Sequence, residues 1–274
     1  QEAHEGNRSR GSAPGGIHCR FDLGRSDGKE VSDEVFMART KSFTRRIRDM
    51  NPSLERQFAA VRDDYVVDVP RGVGETTVAD GYRLDVEGAF GRGAPLFVEI
   101  GPGRGEQIVD FASHHLESNF LAFEVWTPGI ARLVVAAADC GLTNIRVIEA
   151  DAQQALPIIL EPASVREVWT FFPDPWRKTR HHKRRIVSLE FAKVVADRLE
   201  DGGVWRMATD WENYAEHMLE VMAAAPDFRI ADVDGVPAFS PRFEGRIETH
   251  FEQRGKESGR GTWDIAAVRF PREL

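Results

Sequence analysis

From residue 96 to residue 270 the spacing of apolar residues switches back and forth between two periods, and that switching restricts the fold more than any single motif. LFVEI (96–100), FLAFEV (120–125), NIRVIEA (144–150), REVWTFF (166–172) and VWRMAT (204–209) are short apolar runs bounded by turn residues, as buried strands are. Helical stretches separate them. The first carries Ile108, Val109, Phe111 and Ala112, and the second is Ala/Val-rich and ends near Gly141. A third runs from about Ser188 to Leu199 and stops at Asp201-Gly202-Gly203, and a fourth spans Trp211 to Ala224. FRIADV (228–233) and TWDIAAVRF (262–270) predict two final strands joined by a long charged loop. Such alternation predicts an α/β, doubly wound parallel sheet, and ligands of such sheets sit beyond the carboxyl ends of the strands. Upstream, Pro52 opens a helix to about Arg62, followed by a Gly-rich connection over 71–94. Residues 1–30 hold six glycines and few aliphatic side chains, too little to offset the entropy of ordering. The expected organisation is a disordered tail over 1–38 and a single domain over 39–274 that begins with a basic arm and a helix.

The net charge of −8 argues at first against a polyanionic partner, but the charge is segregated. RTKSFTRRIR (39–48) holds five basic side chains and RKTRHHKRR (177–185) six, with no acid in either. Those eleven leave 25 basic against 44 acidic residues elsewhere. One such run is most simply a solvated face; two favour a surface that steers an anionic polymer to one side of the molecule. The two cysteines, Cys19 and Cys140, have no CxxC partner. Neither a disulfide framework nor a zinc-knuckle spacing is therefore expected, which suits a reducing cytoplasm. No stretch approaches the ~18 apolar residues of a membrane span, and no basic-then-apolar signal opens the chain.

EIGPGRG (99–105) ends the first strand in a carboxylate and a turn in which Gly101, Gly103 and Gly105 can bring backbone close to a ligand. A dinucleotide fingerprint would need glycine at 106, where Glu106 stands. Anionic side chains at Glu99 and Glu106 are wrong beside a pyrophosphate, whereas Glu99 can pair with an ammonium. Glu124 closes the second strand, where an acid can accept ribose hydroxyls, and Asp151 follows the third, within reach of an adenine amino group. Any one of these acids is most simply a solvated loop residue. Three carboxylates after three consecutive strands describe a pocket for a cationic nucleoside, and S-adenosylmethionine fits it.

The fourth strand runs into FFPDPWRKTRHHKRR (171–185). Prolines on both sides of Asp174 restrict the backbone and remove N–H donors, which presents the carboxylate at the strand end. An ionised carboxylate only accepts hydrogen bonds, and guanine offers N1–H and its exocyclic amine as paired donors. Trp176 offers a π face for a base; a Trp plugging the core is the plainer alternative. The basic run follows at once, so phosphates and an extruded base would be held side by side. Adjacent His181 and His182 lack metal-ligand spacing, and no metal is expected. Asp210 follows the fifth strand, although it or Thr209 could simply cap the next helix. Thr249, Phe251 and Glu252 lie in the late loop.

Together EIGPGRGE, FEVWTPG, VIEADA, FFPDPWRKTRHHKRR, ATDWENYAEHMLEVM and THFEQRGKESGRGTWD closely resemble the bacterial tRNA (guanine-N7-)-methyltransferases, in the right order over roughly residues 40–270. The resemblance implies a class I methyltransferase (Rossmann-like) fold of seven strands with the last antiparallel. It implies methylation of the variable-loop guanosine of tRNA. By the same resemblance Glu99, Glu124, Asp151 and Asp174 contact the cofactor, with the glycines 101, 103 and 105, and Asp174 is the catalytic position. Lys178, Asp210 and Thr249 to Glu252, including His250 and Phe251, contact the substrate. Arg177, Arg180, Lys183, Arg184 and Arg185 form the expected phosphate track. The late segment departs from the family in reading Thr-His-Phe-Glu where Thr-Lys-Phe-Glu is usual, so neutral His250 lacks a Lys charge. A cytoplasmic monomer or homodimer is expected. The competing readings are a methyltransferase acting on another RNA or a small molecule, and a non-catalytic RNA-binding protein on the same scaffold.

Overall fold

The computed structural model of the chain describes residues 50–272. The expected tail and the basic run at 39–48 lie outside the described residues. Asn51 caps the first helix, α1 (Pro52–Tyr65), by accepting from the Leu54 N–H at 2.8 Å, and Pro52 occupies its first turn. A short helix α2 (Val86–Phe90), capped by Asp85, interrupts the Gly-rich connection.

The alternating segment then unfolds in order as β1 (Leu96–Ile100), α3 (Glu106–His114), β2 (Asn119–Glu124), α4 (Thr127–Asp139) and β3 (Ile145–Glu149). It continues through α5 (Ala152–Ile159), β4 (Val165–Phe171), a 3₁₀ turn (Thr179–Arg184), α6 (Leu189–Arg198), β5 (Leu199–Thr209) and α7 (Glu212–Ala224). The chain closes with β6 (Phe228–Arg229), the hairpin β7 (Asp232–Val233) and β8 (Val236–Pro237), α8 (His250–Glu257) and β9 (Trp263–Arg269). Seven strands form one sheet in the order β3-β2-β1-β4-β5-β9-β6. β1 to β5 pair in parallel, while β9 runs antiparallel to both β5 and β6. This is the class I methyltransferase arrangement expected, with the last strand reversed.

Alternate residues of the strands feed two cores. Ile108, Phe120, Leu133, Ile145 and Trp169 are buried with α1, α3 and α4 on one face. Leu121, Leu156, Phe191, Val195, Trp205 and Met218 are buried with α5, α6 and α7 on the other. A sheet covered on both faces requires near-continuous apolar strands, which is why β2 is buried at every position.

Two expectations change. α6 ends at Arg198, and Asp201-Gly202-Gly203 lies inside β5 as an irregularity, where the pairing register with β4 shifts between Val165 and Glu167. FRIADV does not form one strand: β6 joins the main sheet, while β7 belongs to the separate hairpin. Cys140 caps the end of α4, and the expectation about cysteine pairing rests on Cys19, which lies outside the described residues. Among the described residues no helix is long and apolar enough to cross a membrane.

Candidate active site

The Gly turn joins β1 to α3. Gly103 and Gly105 both hold left-handed backbone, φ +58° and +79°. They serve different purposes. A Cβ on Gly103 would meet nothing within 4 Å, whereas one on Gly105 would lie 2.3 Å from the Leu133 side chain. The first leaves room for a ligand at the turn, and the second lets α3 pack onto α4.

Beyond the strand ends lies a cavity of about 240 Å³ whose wall includes Gly101, Glu124, Asp151, Phe172, Asp174 and Trp176. Five sequence-predicted residues, Glu124, Asp151, Asp174, Trp176 and Arg184, therefore line one cavity together with Gly101 of the turn. Glu99 is not on that wall. It is buried, 4% exposed, and its Oε2 has no hydrogen-bond partner among the described residues. Burial, reinforced by the nearby Glu124 carboxylate, pushes its pKa up to about 8. Glu124 is also buried, and that burial raises its pKa against the opposing pull of three backbone N–H groups. Its Oε2 accepts from Gly103 at 2.9 Å, and its Oε1 accepts from Val125 and Trp126 at 2.7 and 2.9 Å. A carboxylate offers about four acceptor positions, so one remains, enough for one ribose hydroxyl rather than two. Asp151 caps α5, accepting from the Gln153 N–H at 3.0 Å, and burial raises its pKa despite that bond.

The Pro-Asp-Pro loop is bent at both ends. Phe172 and Trp176 adopt left-handed backbone, φ +50° and +47°, which costs on the order of 1–3 kcal/mol each outside glycine. The surroundings hold them there. Arg185 donates from Nε to the Pro175 carbonyl at 3.0 Å and from Nη2 to Asn213 Oδ1 at 2.7 Å, and its guanidinium stacks over Tyr214 at 4.7 Å. Arg185 is 4% exposed. It therefore clamps the loop to α7, which corrects the expectation that it contacts phosphate. Arg177, Lys178, Arg180, Lys183 and Arg184 remain exposed on or beside the 3₁₀ turn. Arg177 stacks on Trp211 at 4.5 Å, and Arg184 on Trp176 at 5.0 Å, so one face of Trp176 is already occupied.

The late segment is less open than its sequence implies. Thr249 caps α8, accepting from the Glu252 N–H at 3.3 Å. Phe251 is 55% exposed and tilts against Phe172 with centroids 5.7 Å apart. His250 is exposed beside it. Glu252, by contrast, is buried and takes hydrogen bonds from Arg242 and, at 2.6 Å, from Arg246. Burial alone would raise its pKa, but those guanidinium groups hold it below the ordinary carboxylate value. Arg246 also makes a two-point bond to Asp264 at 3.0 and 2.8 Å. Glu252 therefore belongs to a buried ion network, which corrects its expected contact with substrate. Asp210 is likewise engaged, accepting from Arg260 at 2.7 Å, with its side chain 11% exposed. Sequence reading missed Arg242, Arg246 and Asp264; no helix or strand spacing marks them, because they meet across the loops flanking α8 between residues 242 and 264. Among the described residues no group of three His, Cys, Asp or Glu side chains could hold a metal.

A family model described as a putative methyltransferase matches residues 93–265. A tRNA (guanine-N(7)-)-methyltransferase of Cutibacterium acnes (strain DSM 16379 / KPA171202) is 46% identical over 224 residues, covering 82% of this chain and 81% of its own. One of Arthrobacter sp. (strain FB24) is 38% identical, covering 89% and 90%. One of Aliivibrio fischeri (strain MJ11) is 47% identical over 182 residues, covering 66% and 76%.

Proposed function

Because the chain belongs to the tRNA (guanine-N(7)-)-methyltransferase family, we propose that its cleft carries a methyl group from S-adenosylmethionine to N7 of a guanosine in the tRNA variable loop. The chain is an enzyme, and N7 methylation of guanine in tRNA is its reaction. The donor's contacts, the target position and the side-chain roles are what we infer beyond that.

One observation carries the reading of the donor pocket. The unpartnered, buried Oε2 of Glu99 lies close to the Gly turn and the Glu124 carboxylate. A desolvated carboxylate is favoured as an anion when a cation arrives beside it, and the ammonium of S-adenosylmethionine is such a cation. A dinucleotide would instead bring phosphates toward Glu99, Glu124 and Asp151. In this reading Glu99 holds the ammonium, Glu124 one ribose hydroxyl and Asp151 the adenine amine, with Gly101 and Gly103 leaving space for close approach. When bound, the donor supplies an electrophilic methyl group.

Guanine N7 carries an in-plane acceptor lone pair and no proton, so the protein needs no general base. Its work is to position the purine and to offset the positive charge that builds on it. Asp174, on the cavity wall, is the catalytic carboxylate. Lys178, Thr249, His250 and Phe251 flank the base, and Arg177, Arg180, Lys183 and Arg184 track the phosphates. Tritiated methyl transfer to unmodified tRNA, with and without its variable-loop guanosine, tests the reading. Label should enter only the first RNA; equal labelling of both would refute the variable-loop target.

A further inference from the structure

Helix α3 leaves the Gly turn and, in its first two residues, reaches to a segment some 140 residues later in the chain. Gln107 is buried, 3% exposed. Its Nε2 donates to the Gly245 carbonyl at 2.9 Å, and its Oε1 accepts from the Ile247 N–H at 2.9 Å. Glu106 Oε2 accepts from the His250 N–H at 2.7 Å, at the first turn of α8. The two segments also approach closely: a Cβ on Gly245 would lie 2.4 Å from the ring of Phe111, on the same helix α3. Reading a carbonyl and an N–H two residues apart requires one donor and one acceptor on one side chain, and a primary amide supplies both.

The bridged segment ends where the target base is expected. Thr249 caps α8, and Phe251 presents its exposed ring against Phe172 of the cavity wall. At this same N-terminal end α3 is capped by Gly105, two residues past Gly103, whose N–H is held by Glu124. The start of one helix therefore follows directly on the Gly turn and is bonded to the base-facing segment.

We propose that Glu106 and Gln107 are positioning residues that couple donor binding to the register of residues 245–251, and so to the seating of the target guanosine. The proposal rests on the donor and tRNA reading above. A ligand that orders the Gly turn fixes the start of α3, and three hydrogen bonds pass that constraint to the base-facing segment. Neither residue touches a reacting atom. The fingerprint position occupied by Glu106 is used by this fold as a strut.

The test is a binding cycle on the full chain. Affinity for unmodified tRNA is measured with and without S-adenosylhomocysteine, and affinity for S-adenosylhomocysteine with and without tRNA. Melting temperature and steady-state kinetics are recorded alongside. In the unaltered protein each ligand should tighten the other by the same factor, on the order of five-fold or more. Glu106→Ala and Gln107→Glu should bring that factor close to one and raise the tRNA KM, leaving affinity for S-adenosylhomocysteine alone within about two-fold. Glu106→Gln keeps the acceptor and should keep the coupling. Unchanged coupling in Glu106→Ala overturns the proposal. So does a fall in melting temperature with both affinities lost in parallel, because that marks simple packing. Absence of coupling in the unaltered protein overturns it too, while methylation of tRNA by that same protein leaves the functional reading standing. Failure to methylate tRNA at all sinks both.

Discussion

The carboxylates at the ends of β1 to β3 and those around α8 are handled in opposite ways. On the donor side Glu99, Glu124 and Asp151 take backbone N–H groups or, at Glu99 Oε2, no partner at all, and among the described residues none forms a salt bridge. Around α8, Glu252, Asp264 and Asp210 are each neutralised by an arginine, from Arg242, Arg246 and Arg260. The pKa values follow the same division: raised at Glu99, Glu124 and Asp151, lowered at Glu252. Buried charge that its own fold compensates is framework. Charge that the fold leaves uncompensated marks where a cation has to come from outside.

The most severe way to break the comparison is Arg246→Met. It should cost about 3–5 kcal/mol, because Asp264 loses its arginine while buried and Glu252 keeps only Arg242 of its two guanidinium partners, and urea unfolding reads this directly. Full stability with activity lost would instead make the arginine network part of the substrate site. Asp174→Asn should lower kcat by on the order of 10²-fold, the size expected for removing a preorganised electrostatic contact. Donor affinity should fall far less; a variant turning over at the normal rate refutes the carboxylate role.

Glu99→Gln sharpens the donor side and should weaken S-adenosylmethionine binding about ten-fold or more, the value of a charge-assisted bond. pH adds a second reading. Glu99 is ordinarily near 4.5 and is raised to about 8 in the fold. The folded chain therefore holds a proton that the unfolded chain has lost between those values, and this contribution to stability declines as pH rises from about 4.5 to 8. Glu99→Gln should flatten that decline in a melting series. In the unaltered protein, donor affinity should rise over the upper part of the window, and a pH-independent affinity would contradict the ammonium contact. The smallest effect belongs to the basic turn: replacing Arg180 and Lys183 by Ala should reduce the salt slope of tRNA binding by about one for each phosphate no longer neutralised.

Most of the sheet was legible because its signals are local. The apolar runs, the Gly turn and the acids at strand ends each occupy a few consecutive residues. α5 escaped because Pro157 sits inside it and argues against a helix. The ion network escaped for another reason. The bonds from Arg246 to Glu252 and Asp264, and from Arg185 to Asn213, depend on how separate loops dock, and no spacing within a loop encodes that. The run RKTRHHKRR shows the limit well: six like charges look equivalent in sequence, yet Arg185 faces inward while the others face out.

The bent loop around Asp174 has a consequence for how the enzyme tolerates change. Its shape is set during folding, by a clasp that sits outside the cleft, and the arriving RNA has no ordering left to do there. The clasp is also a single point of failure. Loosening Arg185, Asn213 or Tyr214 would let Phe172 and Trp176 relax toward ordinary backbone and swing the carboxylate off target, with the cavity lining chemically intact. Sequence drift in the first turn of α7 would therefore register as lost turnover, at residues outside the cavity wall.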